Sequence, residues 1–88
     1  MKNNAIRNAI QNGGRYHIRI FDMAGEKVDT MQHQWWATHV YSWPEYILIG
    51  EEHVKNTTIE YKHIMRIEIH AAQFPYKEET PWLYIYLK

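Results

Sequence analysis

The stretch that decides the fold reads Thr57-Thr58-Ile59-Glu60-Tyr61-Lys62-His63-Ile64-Met65-Arg66-Ile67-Glu68-Ile69. Apolar and polar side chains alternate over its first half and again over its second half, which predicts two β-strands. In the second run the alternation places Met65, Ile67 and Ile69 on one face. No glycine or proline separates the two runs, so an ordinary hairpin turn does not fit. We therefore expect Lys62 and His63 to lie at a sharp corner between two strands of a small barrel.

The residues before this stretch predict a short helix and further strands. Asn3 and Asn4 can cap a helix over residues 5–11, which the Asn-Gly-Gly sequence at 12–14 would end. An alternating strand follows over residues 16–21. Residues 27–43 contain no glycine or proline, so we expect one long bent strand, or two strands joined by a bulge near residues 32–34. A turn at Pro44-Glu45 then leads into a short apolar strand over residues 46–49.

The C-terminal residues predict one more strand. Over residues 81–87 aromatic and aliphatic side chains alternate, so neither face is polar. A strand of this composition is expected to be covered on both sides, either beside the long second strand or across a subunit boundary. We assign residues 1–70 to a single domain, and residues 71–88 to a connector and a strand extension packed on that domain.

The corner and its neighbouring strands resemble the second sequence motif of the bacterial Sm-like (LSm) family. The Tyr-Lys-His signature of the Hfq-type RNA chaperones in that family is matched by Tyr61, Lys62 and His63. The cluster Asn8-Ala9-Ile10 is similar to the family's N-terminal helix, and the resemblance extends over roughly residues 3–69. It implies a mainly β fold, an SH3-like barrel of five strongly bent antiparallel strands behind a short helix. The extra C-terminal strand is an addition to that pattern.

The resemblance also implies where RNA would bind. Residues matching Lys62 and His63 line the pore of the family's rings and contact the base and phosphate of uridine. Tyr46 matches a base-stacking aromatic, Glu45 stands where the family has a base-reading glutamine, and Asn3 falls at an N-terminal uridine contact. The chemistry fits, because a lysine can hold a phosphate, an imidazole can donate and accept, and a ring can stack a base.

Three departures from the family pattern bear on this site. A carboxylate at Glu45 repels phosphate, and Pro44 replaces an aspartate of the family. The basic patch that follows the family's helix is reduced here to Arg15. Fewer phosphate contacts imply weaker and less salt-sensitive binding of RNA.

Composition excludes several other functions. Ten basic and ten acidic residues balance, which argues against an overall basic nucleic-acid binder but not against a local basic ring. The chain has no cysteine, and its six histidines show no short-spaced ligand pair, so we expect neither a metal nor another cofactor. No nucleophile motif or phosphate-binding loop is present, so we expect no catalysis. No apolar run reaches the length of a membrane span and no signal-peptide core begins the chain, so a cytoplasmic location without a membrane partner is expected.

A domain of 88 residues buries a modest core, and association with further copies would add burial. The fourth and fifth strands of such a sheet leave unpaired edges, and head-to-tail pairing would close a homo-oligomeric ring of about five to seven subunits. The leading hypothesis is a non-catalytic ring that binds single-stranded RNA, U- or A-rich, at its pore. The alternative is an oligomeric assembly or adaptor module that binds protein and not RNA.

Overall fold

In the computed structural model, which describes residues 2–22, 37–50, 57–72 and 80–88, a short helix precedes a six-stranded sheet. The mainly β class expected from the sequence is confirmed. The helix spans residues 2–9 rather than 5–11. The elements are α1 (Lys2–Ala9), β1 (Gly14–Phe21), β2 (Thr38–Ser42), β3 (Tyr46–Ile49), β4 (Thr57–Glu60), a 3₁₀ turn (Tyr61–His63), β5 (Ile64–His70) and β6 (Trp82–Leu87).

The strands are arranged in the order β4-β3-β2-β1-β6-β5. The C-terminal strand β6 therefore lies inside the sheet, parallel to β1 and antiparallel to β5. The expected position beside the second strand was wrong, because β6 pairs with β1 and β5. A contact across a subunit boundary stays a prediction. The location explains why β6 has no polar face, because Leu83 and Ile85 are fully buried on one side and Trp82 is buried on the other. The sheet is mixed, and the five strands before β6 do not form a continuous antiparallel set.

The sheet must curl, because only three residues join its two outermost strands. Strands β4 and β5 stand at opposite ends of the strand order, yet the turn Tyr61–His63 is all that separates them along the chain. Six strands side by side would span roughly 24 Å if flat, at about 4.8 Å per pairing. Three residues reach about 10 Å. A strong bend therefore brings the two ends of the sheet toward each other at the turn.

The core fills the concave side of this curled sheet. Helix α1 contributes Ile6, and Ile10 follows directly after the helix, with its amide donating to the carbonyl of Ile6 at 3.3 Å. The chain leaves the helix through Gly13, which has a positive φ of 78° and donates its amide proton to the carbonyl of Val40 at 2.7 Å. The strands contribute Ile18 and Ile20, Val40, Ile47 and Ile49, Ile64, Leu83 and Ile85.

Strand β5 departs from simple alternation at its start. Ile64 lies opposite Leu87 and Arg66 lies opposite Tyr86, with a register shift between them. A bulge adds one residue to a strand and so changes which face the preceding side chains occupy. Met65 is consequently 45% exposed and Ile64 is fully buried. The regular alternation expected from Met65 to Ile69 is therefore interrupted at Met65.

Part of the expected second strand is observed as β2 (Thr38–Ser42). The rest of that prediction, including the bulge near residues 32–34, lies outside the described residues. Within the described ranges, no helix has the length and apolar character needed to cross a membrane.

Candidate functional site

Two connections, the turn before β3 and the turn after β4, meet at one end of the sheet. Strand β3 pairs with β4 in a register that sets Tyr46 opposite Glu60. The amide of Trp43 donates to the carbonyl of Tyr46 at 3.0 Å, which closes the first turn. The amide of Tyr61 donates to the carbonyl of Glu45 at 3.1 Å, which ties the second turn to the first. Four of the five candidate residues, Glu45, Tyr46, Lys62 and His63, are therefore brought to the same region.

The local sequence explains why the second turn presents Lys62 and His63 outward. In a 3₁₀ turn, residues three apart lie on the same side. Tyr61 and Ile64 have this spacing, and both are buried. The two residues between them are exposed as a result. Glu60 and Ile64 have extended backbones, so the chain enters and leaves the turn as a strand. We call Tyr61–His63 the corner.

A cleft of about 260 Å³ lies beside the corner and is lined by Glu45, Tyr46, Thr58 and Glu60. The Tyr46 side chain is 37% exposed, so part of its ring is available to a ligand. Two carboxylates, one phenol and one hydroxyl give this cleft an acidic character. It can accept hydrogen bonds from a donor-rich ligand and can offer one ring for stacking.

Lys62 does not stand alone at the corner. Its Nζ lies 3.3 Å from Oε2 of Glu60, and the two side chains are 69% and 55% exposed. An ion pair this exposed contributes on the order of 0–1 kcal/mol to stability. The pairing offsets the positive charge that Lys62 would present to a phosphate.

His63 opens onto a second cleft, on the other side of β4. That cleft is lined by apolar side chains of Ile20, Ile59 and Leu87 together with residues 57, 58 and 60. The backbone carbonyl of His63 accepts a hydrogen bond from the amide of Lys88 at 2.9 Å, which fastens the end of β6 to the corner. Strand β4 thus separates His63 from Glu45 and Tyr46, although residues 58 and 60 line both clefts.

Asn3, the fifth candidate, lies in α1, on a different element from the other four. The structure instead adds three residues that the sequence did not single out: Arg7, Thr58 and Glu60. Burial raises the pKa of the Tyr61 phenol, and the positive charge of Arg7 opposes that rise. Arg7 belongs to α1, so the helix acts electrostatically on the corner. Thr58 and Glu60 could have been found from the sequence, because alternation in β4 predicts that both leave the core.

The described residues contain no group of three histidine, cysteine, aspartate or glutamate side chains that could hold a metal ion. The clefts beside the corner combine an aromatic ring, two carboxylates, an imidazole and an ammonium group. Noncovalent recognition of a base, an anion or a peptide is the chemistry that these groups can perform.

The chain was compared with known proteins in three ways. No family model matches it, and neither the curated proteins nor the solved structures yielded a match.

Proposed function

We propose that the chain is a non-catalytic Sm-like protein that assembles into a ring and binds single-stranded RNA, U- or A-rich, around the corner. One observation carries the proposal: the hydrogen bond from the amide of Tyr61 to the carbonyl of Glu45 ties the turn before Tyr46 to the corner that carries Lys62 and His63. The arrangement supplies one stacking ring, one ammonium group and one imidazole at an exposed position. Asn3 stays a proposed contact from α1.

The ends of the sheet support the ring. Strands β4 and β5 each have a neighbour on one side within the described residues. Met65 and Ile69 on β5 are 45% and 44% exposed, which is high for apolar side chains near a sheet edge. Edges of this kind are templates for pairing with another chain. Pairing of β4 with β5 of a second copy is heterologous, and it would close into a ring of about five to seven subunits.

The RNA-binding step is tested with fluorescently labelled U-rich and A-rich oligonucleotides at low salt. Wild type is compared with a Tyr46→Ala, Lys62→Ala double variant, which we expect to lose most of its affinity. Tyr46→Phe keeps a ring for stacking and is the matched control that should bind like wild type. Equal affinities of wild type and the double variant, or no binding by either, would contradict the proposal.

A second candidate function is favoured by the charges beside Tyr46. Glu45 and Glu60 line the same cleft, and Glu60 pairs with Lys62. This acidic cleft suits a cationic peptide better than a phosphate backbone, so a protein-binding adaptor is the alternative. Binding of a Lys/Arg-rich peptide that Tyr46→Ala weakens, with no RNA binding, would favour it.

The ring is tested separately by native mass spectrometry of the wild type at micromolar concentration. A species of about five to seven subunits is expected. A distribution limited to monomer and dimer would contradict the ring. The RNA-binding test would still be decided by its own measurement.

A further inference from the structure

Insertion of β6 between β1 and β5 creates an outer face that a five-strand sheet would not have. In the register of these three strands, side chains of alternate residues fall in rows across the sheet. Each row centres on an aromatic residue of β6: Trp82, Tyr84 or Tyr86. We call the nine side chains of this face the outer ladder, and they are His17, Arg19, Phe21, Arg66, Glu68, His70, Trp82, Tyr84 and Tyr86.

Rings and guanidinium groups contact one another throughout the outer ladder. The guanidinium carbon of Arg66 lies 3.9 Å from the centre of the Tyr86 ring, and that of Arg19 lies 4.5 Å from the Trp82 ring. Phe21 stacks on Tyr86, with centroids 4.9 Å apart and planes 16° apart. These distances lie within the range of cation–π and aromatic stacking contacts. The face is thus pre-organised, with its flat groups held by their neighbours.

Accessibility differs along the outer ladder. Trp82 and His17 are buried, whereas Phe21, Tyr84 and Tyr86 are half-buried. The Arg66 side chain is 53% exposed. The accessible part therefore lies toward the C-terminal end of β6, next to the position where Lys88 bonds to the corner.

The charges of the outer ladder favour an anionic ligand. Two arginines, Arg19 and Arg66, face a single carboxylate, that of Glu68. Glu68 accepts hydrogen bonds from Arg66, His70 and Tyr86, at 3.2, 3.0 and 3.2 Å. Arg66 uses its Nε in this contact, so the two terminal nitrogens of its guanidinium remain as further potential donors.

We propose that the accessible end of the outer ladder is a second binding surface for single-stranded nucleic acid, separate from the corner. Phe21 and Arg66 flank the Tyr86 ring from the strands on either side of it, so bases stack on the exposed side of Phe21 and on the plane of the Arg66 guanidinium. Arg19 and Arg66 contact phosphates. Flat, pre-ordered rings beside guanidinium groups suit bases joined by phosphates better than they suit an acidic peptide, which offers charge but no planar groups.

Ultraviolet crosslinking of oligouridine to the wild-type protein, followed by mass spectrometry of the peptides, locates the contact directly. Crosslinks are expected at Phe21, Tyr84 or Tyr86. They should persist in the Tyr46→Ala, Lys62→Ala double variant, so failure of the corner and failure of the outer ladder are distinguishable. Crosslinks confined to Tyr46, or none at all, would overturn the inference.

The salt dependence of oligouridine binding supplies a second readout. An Arg19→Gln, Arg66→Gln variant removes two proposed phosphate contacts. Between 50 and 200 mM salt, the wild type should lose about sevenfold more affinity than this variant, because each contact contributes a slope of about 0.7 in single strands. Arg66→Lys keeps the positive charge but removes the planar guanidinium group on which a base would stack. This variant should therefore keep the salt dependence of wild type and lose the crosslinks to oligouridine. Lys88→Gln removes one exposed charge next to the accessible end, so its salt slope should fall by at most about 0.7 and its crosslinks should be kept.

A poly-glutamate peptide of equal length separates base stacking from general attraction of anions. The wild type is expected to bind oligouridine measurably more tightly than this peptide at equal salt. Equal affinities for both would overturn the stacking proposal.

The folded fraction of the Arg19→Gln, Arg66→Gln variant is checked by circular dichroism. If that variant is less stable than wild type, the crosslinks of Arg66→Lys alone test the proposal.

Discussion

The ammonium nitrogen of Lys62 lies 3.3 Å from the Oε2 atom of Glu60, so a cation of the corner is already paired with a carboxylate of the same cleft. The amide of Tyr61, the residue between them, holds the backbone against Glu45. The acidic cleft and the basic corner are therefore one electrostatic unit, in which each carboxylate reduces the attraction of Lys62 for a phosphate.

We expect Glu60→Gln to tighten the binding of U-rich RNA at low salt, because it frees Lys62 and removes a like-charge repulsion. Glu45→Gln is the matched variant, since it neutralises a carboxylate of the same cleft. Both are measured by fluorescence anisotropy. In a Lys62→Met background, the gain from Glu60→Gln should shrink more than the gain from Glu45→Gln. Equal gains in both backgrounds would show that the ion pair does not limit binding.

Tyr61→Phe should leave the protein as stable as wild type or make it more stable. The Tyr61 hydroxyl is buried and has no hydrogen-bond partner among the described residues, a situation that costs about 1–3 kcal/mol. Tyr16→Phe is the control, because the Tyr16 hydroxyl accepts a hydrogen bond from the amide of Gln11 at 3.0 Å. That variant should lose about 0.5–1.5 kcal/mol. Urea denaturation measures both, and a larger loss for Tyr61→Phe than for Tyr16→Phe would contradict the expectation.

Strand β6 should be essential to the fold, because it pairs on both sides and fills the core. Leu83→Ala should lower the free energy of unfolding by about 2–5 kcal/mol. Ile69 lies opposite Leu83 in the register but is 44% exposed, so Ile69→Ala should cost much less. Denaturant unfolding compares the two variants. A chain ending at residue 74 lacks β6 and should be insoluble or unfolded; a truncated chain that kept the melting temperature of the full chain would refute this role.

The stability of the fold should decrease in acid, in part because the Glu68 carboxylate becomes protonated. The hydrogen bond from His70, and then the one from Arg66, hold the pKa of the Glu68 carboxyl below its ordinary value. A carboxyl whose pKa is lower in the folded than in the unfolded state stabilises the fold above the unfolded pKa. That contribution is lost as the pH falls through the folded pKa. Melting temperatures of wild type and Glu68→Gln are compared from about pH 5 down to about pH 3, on either side of the ordinary pKa of a glutamate. We expect the wild type to show the steeper decline, and parallel curves would exclude the contribution of Glu68.

Ile69→Lys should weaken assembly and leave the monomer folded. Ile69 is an exposed apolar residue on β5, an end strand of the sheet, where a charge disfavours pairing with another chain. The measurement is native mass spectrometry at micromolar concentration. Lys88→Gln serves as a control for a change of charge. If Ile69→Lys keeps the assembly state of wild type, the proposed β5 interface is wrong.

The sequence by itself determined the parts of this fold that depend on neighbours along the chain. Alternation located β1 and the stretch from β4 to β5, and the absence of glycine and proline after Tyr61 predicted a corner instead of a hairpin. It also marked residues 81–87 as a strand without a polar face. These features follow from side-chain period and local backbone preference, which act over a few residues.

Only the tertiary structure decided which strands pair and what each charged group meets. The place of β6 depends on its pairing with β1, in which register partners such as Ile18 and Leu83 are more than 60 positions apart along the chain. The register shift between Ile64 and Arg66 buries Ile64 and exposes Met65, because register is fixed by the neighbouring strand. Strand pairing also brought Glu45 to the corner and the Arg66 guanidinium over the Tyr86 ring. Packing against distant residues decides these contacts, because it outweighs the local preferences of the chain.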